Sequence, residues 1–184
     1  FRGYGLKAGA ANPESMGVLG SLNGFADMDG DGIREVVGLG GGITKGSLSL
    51  HWVGPNQIES LDFDVSSVGD PEVADWRLQV ADLDGDGHPE IIAALRQNGA
   101  IAVLRNNGDG TFATARLSPA GKDPSDLVAA DLNSDGRVDL VVADYDGAVG
   151  VLLGKGDGTF EPVSRTTADL GTSAVRVAEL TGDK

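Results

Sequence analysis

Oxygen-bearing side chains stand at alternate positions in three places along the chain. The first is Asp27, Asp29 and Asp31 with Glu35 four residues on, and the second is Asp82, Asp84 and Asp86 with Glu90. The third is Asp131, Asn133 and Asp135 with Asp139. Numbered from its first acid, each stretch has oxygens at positions 1, 3, 5 and 9 and glycine at position 6: Gly32, Gly87 and Gly136. A glycine there lets the backbone curl through positive φ without a Cβ penalty. The curl would aim the side chains at one point and turn the carbonyl of position 7 (Ile33, His88 and Arg137) inward. Hard oxygens converging in this way suit Ca2+, which takes about six to eight of them at roughly 2.3–2.6 Å. Without an ion, carboxylates this close repel and raise one another's pKa. Three calcium sites are therefore expected. A fourth, worn copy, Glu179 to Lys184, stops short of completion.

The elements around these loops must be strands. An EF-hand needs helices on both sides and a bidentate Glu at position 12, but that position holds Gly38, Ala93 and Val142. After each loop comes a short run rich in Val, Ile and Leu, closed by Gly or Asn, which reads as strand. Alanine precedes each first ligand (Ala26, Ala81, Ala130, Ala178), and a large apolar residue follows it (Met28, Leu83, Leu132, Leu180). The small residue suits a crowded innermost strand, and the large one would pin the loop to its sheet.

First ligands recur at intervals of 55, 49 and 48 residues, a period that marks propeller blades or arrays. In the middle unit the expected strands are 77–81, 90–96, 100–106 and 111–117. Turns at Gln97-Asn98-Gly99 and Asn107-Gly108-Asp109-Gly110 separate the last three, on the expectation that Asn-Gly and Asp-Gly form type I′ hairpins. Four antiparallel strands per unit make an all-β fold of β-propeller blades, about three with part of another. A second motif, Gly-Asp-Gly-Thr-Phe at 108–112 and 156–160, reads as a turn before a packed phenylalanine, not as a metal site.

The stretches from Val80 to Phe112 and from Ala129 to Phe160 resemble bacterial FG-GAP/VCBS-type repeats, which are similar to blades of the integrin α-subunit propeller. The resemblance implies calcium in the loops and a secreted or cell-surface protein that binds protein or carbohydrate partners. It also admits the propeller portion of a polysaccharide-degrading enzyme such as a lyase. Residues 1–20 are expected to end a preceding blade or form a linker, with units near 21–75, 76–126 and 127–174 and a further one opening at 175–184. Asn133 keeps an oxygen and drops a charge, and Gly54-Pro55-Asn56-Gln57 replaces the second motif in the first unit.

Composition narrows the function further. Of twenty-eight acids, eleven lie in the three loops, and the net charge of −14 argues against nucleic acid as a partner. There is no cysteine, and no apolar run long enough to span a bilayer. The chain opens at Phe1 and stops inside a motif, which reads as a piece of something longer. Three blades cannot close a ring, since propellers typically have about four to eight. The remaining blades are expected from the parent chain or from another copy. His51 and His88 have no triad or zinc pattern around them, and the imidazole of His88 is expected to face solvent. Trp52, Trp76 and Tyr145 are expected to pack rather than bind sugar. No catalytic residue emerges, and the expectation is a binding module rather than an enzyme.

Overall fold

The protein is described by a computed structural model that covers residues 22–32, 34–39, 47–53, 58–64, 77–168 and 174–178. Its strands form three four-stranded sheets. The first holds β1 (Leu22–Ala26), β2 (Glu35–Leu39), β3 (Ser47–Val53) and β4 (Ile58–Asp64). The second holds β5 (Arg77–Ala81), β6 (Glu90–Leu95), β7 (Ala100–Leu104) and β8 (Arg116–Pro119). The third holds β9 (Pro124–Ala130), β10 (Asp139–Asp144), β11 (Ala148–Leu152) and β12 (Ser164–Thr167). Within each sheet, strands pair antiparallel in chain order, so every unit is an up-and-down blade.

The run Ile91-Ile92-Ala93-Ala94-Leu95 shows why the blades stack. Successive strand side chains point to opposite faces, and a strand apolar at every position has two faces to bury. Ile91, Ala93 and Leu95 join Met28 of the first unit, together with Leu78, Ala102 and Leu104, in one buried cluster. Ile92 and Ala94 join Leu127, Leu140, Val142 and Leu152 of the third unit in another. The two central strands of the middle blade, β6 and β7, are thus buried on both faces. The first strands line up, β1 beside β5 and β5 beside β9, which places the alanine-ended strands where the sheets crowd together.

The large apolar residue after each first ligand does something other than pin its own loop. Met28 is buried against the second sheet, and Leu83 packs with residues of the third. Leu132, the third of the series, stays 38% exposed. These side chains reach forward into the next seam, and among the described residues no further sheet covers Leu132.

Several local expectations are corrected. The fourth strand of the middle unit starts at Arg116 rather than Thr111, with only an isolated bridge between Asn106 and Phe112 before it. The hairpin turns are not type I′, which would need positive φ at both central residues. Asn98 lies in a short 3-10 turn (Arg96–Asn98), and Gly99 alone turns left-handed at φ 60°. Phe112 and Phe160 pack against the two clusters as expected. Residues 1–20 and the worn copy from Glu179 lie outside the described residues.

Candidate metal loops

Each loop leaves the first strand of its sheet and enters the second, spanning 27–34, 82–89 and 131–138. Its curl comes from the backbone. Gly32, Gly87 and Gly136 have φ of 85°, 86° and 80°. Position 4 is also left-handed: Gly30 and Gly85 sit at 78° and 76°, and Ser134 at 60°, the one non-glycine residue with positive φ among those described. The first acid organises the curl. Asp82 accepts N–H bonds from Gly85 (2.7 Å) and Gly87 (3.0 Å), and Asp27 does the same from Gly30 and Gly32, both at 2.8 Å. Asp131 accepts from Asp135 and Gly136.

The structure brings positions 1, 3 and 5 together. In the first two loops, one carboxylate oxygen each from Asp27, Asp29 and Asp31, and from Asp82, Asp84 and Asp86, lies within 4.8 Å of the others. Hard anionic oxygens gathered so closely fit a dication such as calcium. In the third loop Asn133 donates its side-chain amide to Asp135 at 3.1 Å, tying positions 3 and 5 without a third charge. Ile33 lies outside the described residues; His88 and Arg137 stand where each loop leaves for its second strand.

Position 9 has other partners. Glu90 and Asp139 are buried. Glu90 accepts the N–H of Leu83 through Oε2 at 2.8 Å and that of Asn106 through Oε1 at 3.4 Å. Asp139 likewise accepts from Leu132 at 3.0 Å and from Gly154 at 2.8 Å. Each acid therefore ties position 2 of its loop to the end of the third strand. Glu35 opens β2, where the backbone alone is described. Burial pushes the Glu90 carboxyl up to about 7, opposed by the Leu83 N–H and reinforced by the charge of Asp84. Asp86 is held below its ordinary value, chiefly by the N–H of His88.

Two residues sit differently from their expected places. His88 is half-buried and not free in solvent: a methyl group on Gly108 would lie 2.5 Å from its Nε2, and one on Gly30 would lie 3.8 Å from its Cε1. The ring is wedged between the first loop and the Gly108 turn. Asn106 closes the same seam, donating Nδ2–H to the Met28 carbonyl at 3.0 Å. Tyr145 is 37% exposed, with the Arg96 guanidinium 4.3 Å above its ring, instead of packed inside. Asp109 and Asp157 are turn residues as expected, each accepting from the threonine two places on. Trp76 lies outside the described residues, and Trp52 falls in β3.

A model of the FG-GAP-like repeat matches residues 82–142 and again 131–184, more than half of the chain. The chain belongs to the FG-GAP-like repeat family. The match opens at the first acid of the second FG-GAP-like unit, takes in the third, and runs on to residue 184. A lectin of Agrocybe aegerita, solved for its specific recognition of non-reducing terminal N-acetylglucosamine, is similar at 27% identity and a TM-score of 0.54. That match covers 80% of this chain and 38% of the lectin. The Photorhabdus luminescens Tc holotoxin pore is similar at 18% identity and a TM-score of 0.48, over 82% of this chain and 7% of the toxin chain. The chain thus spans well under two thirds of either. No curated protein matches it. The FG-GAP-like repeats here are blades of a β-propeller, and among the described residues no helix is long and apolar enough to cross a membrane.

Proposed function

We propose that this chain is a calcium-binding propeller segment of a secreted or cell-surface protein, in which the ion locks the blade loops and the assembled rim binds a carbohydrate. The observation that carries the metal reading is the convergence of Asp27, Asp29 and Asp31, and of Asp82, Asp84 and Asp86, to within 4.8 Å. Calcium would be held there by positions 1, 3 and 5 with the carbonyls of Ile33 and His88. Asp131, Asn133, Asp135 and the carbonyl of Arg137 make a third, less charged site. Glu90 and Asp139 would brace the second and third loops through the N–H groups they accept from. The likeness to a lectin supports a glycan over a protein as the partner. The role is binding and not catalysis, because the clustered carboxylates are engaged by backbone N–H groups and, on this reading, by the ion.

Extracellular calcium modules bind with dissociation constants of about 10⁻⁴–10⁻³ M. At a hundredfold excess each site adds about 2.7 kcal/mol. Melting curves with and without chelator test the metal: removal of calcium should lower Tm by several degrees, and Asp84→Ala should reproduce part of that loss. Identical curves would refute it. A glycan array presenting N-acetylglucosamine-terminated chains tests the partner. New reducing ends or unsaturated products from acidic polysaccharides would overturn the non-catalytic reading.

A further inference from the structure

We propose that Arg105 is a tethered cation that competes with calcium for the second loop and sets it apart from the other two; the proposal rests on the calcium reading given above. Arg105 follows the last residue of β7. Its Nε lies 2.8 Å from Oδ2 of Asp84, and its Nη2 lies 3.2 Å from Oδ2 of Asp86. Asp84 and Asp86 each give their other oxygen, Oδ1, to a backbone N–H, those of Asp86 and His88. Both oxygens of Asp82 are taken by Gly85 and Gly87. The guanidinium therefore rests on the two oxygens of the triad that face away from the loop's own N–H groups.

A guanidinium and a calcium ion cannot share those oxygens. The fork of Arg105 suits two carboxylate oxygens side by side, whereas calcium draws all three acids toward a single centre. In the metal-free chain the arginine relieves repulsion within the triad, so the loop keeps its curl. To bind calcium the loop must release the guanidinium. That is readily done, because the Arg105 side chain is 55% exposed. The acids are less exposed, Asp84 at 10% and Asp86 at 33%. Ion pairs open to solvent on one side still carry little energy, so the penalty is about three- to tenfold in calcium affinity and not a block.

The sequence carries no cation at the equivalent position of the other two units. Strand register makes Val53, Leu104 and Leu152 equivalent, opposite Val36, Ile91 and Leu140. The next residue is Gly54 in the first unit, Arg105 in the second and Leu153 in the third. One blade in three has a cation there. The loops should therefore fill at separate calcium concentrations, with the second held back.

The test is a calcium titration of the 184-residue chain followed by the amide signals of Gly32, Gly87 and Gly136, one reporter per loop. Arg105→Gln should lower the half-saturating calcium at Gly87 by about three- to tenfold and leave Gly32 unmoved. Arg105→Leu, which copies the third unit, should do the same, and Arg105→Lys should stay near the parent. The reciprocal Leu153→Arg should raise the half-saturation at Gly136. Either neutral variant leaving Gly87 unchanged, weakening it, or shifting all loops equally would overturn the proposal while leaving calcium binding intact. If no loop glycine of the parent responds to calcium, the calcium reading fails and this one with it.

Discussion

Asp139 offers the sharpest test of how the loops are built. It is fully buried, and its two oxygens accept N–H bonds from Leu132 at 3.0 Å and Gly154 at 2.8 Å. Hydrogen bonds to a charged group are each worth about 1.5–3 kcal/mol. Part of that is offset by the cost of burying the carboxylate. Asp139→Ala removes both bonds and strands two N–H groups, so a loss of about 2–4 kcal/mol is expected. Asp139→Asn keeps one acceptor and should lose about half as much. The measurement is urea unfolding in excess chelator, with amide exchange at Leu132 and Gly154 as local reporters. A brace works without metal, so the loss should persist in chelator and both amides should exchange faster. If Asp139→Ala matched the parent in chelator and differed only with calcium present, position 9 would be a ligand and not a brace, and the reasoning would fail.

Three further outcomes follow from the same geometry. The Glu90 carboxyl is raised from 4.5 to about 7 in the folded, metal-free chain, so the folded state binds the extra proton and stability falls as pH rises between those values. Unfolding in chelator at pH 5 and 7.5 should show a difference on the order of 1–3 kcal/mol, and Glu90→Gln should flatten it. Ser134 holds a left-handed conformation at φ 60°, which costs about 1–2 kcal/mol. Glycine has its own unfolded-state penalty of about 0.5–1 kcal/mol, so Ser134→Gly should raise stability by about 0.5–1 kcal/mol in denaturant melts. A methyl group on Gly154 would fall within clash distance of the Val138 carbonyl. Gly154→Ala should therefore cost about 3 kcal/mol, read as a drop in Tm, and a neutral result would mean the β10–β11 edge can spread.

The repeat, the strands around each loop and the convergence of positions 1, 3 and 5 were legible in the sequence because each is a local matter of spacing. A strand such as Ile91–Leu95 declares its burial by being apolar throughout. What one unit does to the next was not legible. Met28 and Leu83 follow their first acids as any staple would, yet they bury in the neighbouring sheet. His88 looked like a solvent-facing backbone ligand, and only the seam with Gly108 explains its wedged ring. Glu90 and Asp139 fitted an oxygen count, but the N–H groups they accept from come from β7 and β11 ends brought near by pairing. The Ser134 backbone could have been found: it stands where the other two loops carry glycine.

The forward reach of Met28 and Leu83 gives the array a polarity. Among the described residues the middle unit has both a plug for its successor and a socket for its predecessor, encoded within one stretch of about fifty residues. Copying such a stretch copies a matched pair of joints, so a gene that gains a unit by tandem duplication needs no new surface to fit it. Lengthening is then limited by ring closure rather than by the inventing of contacts.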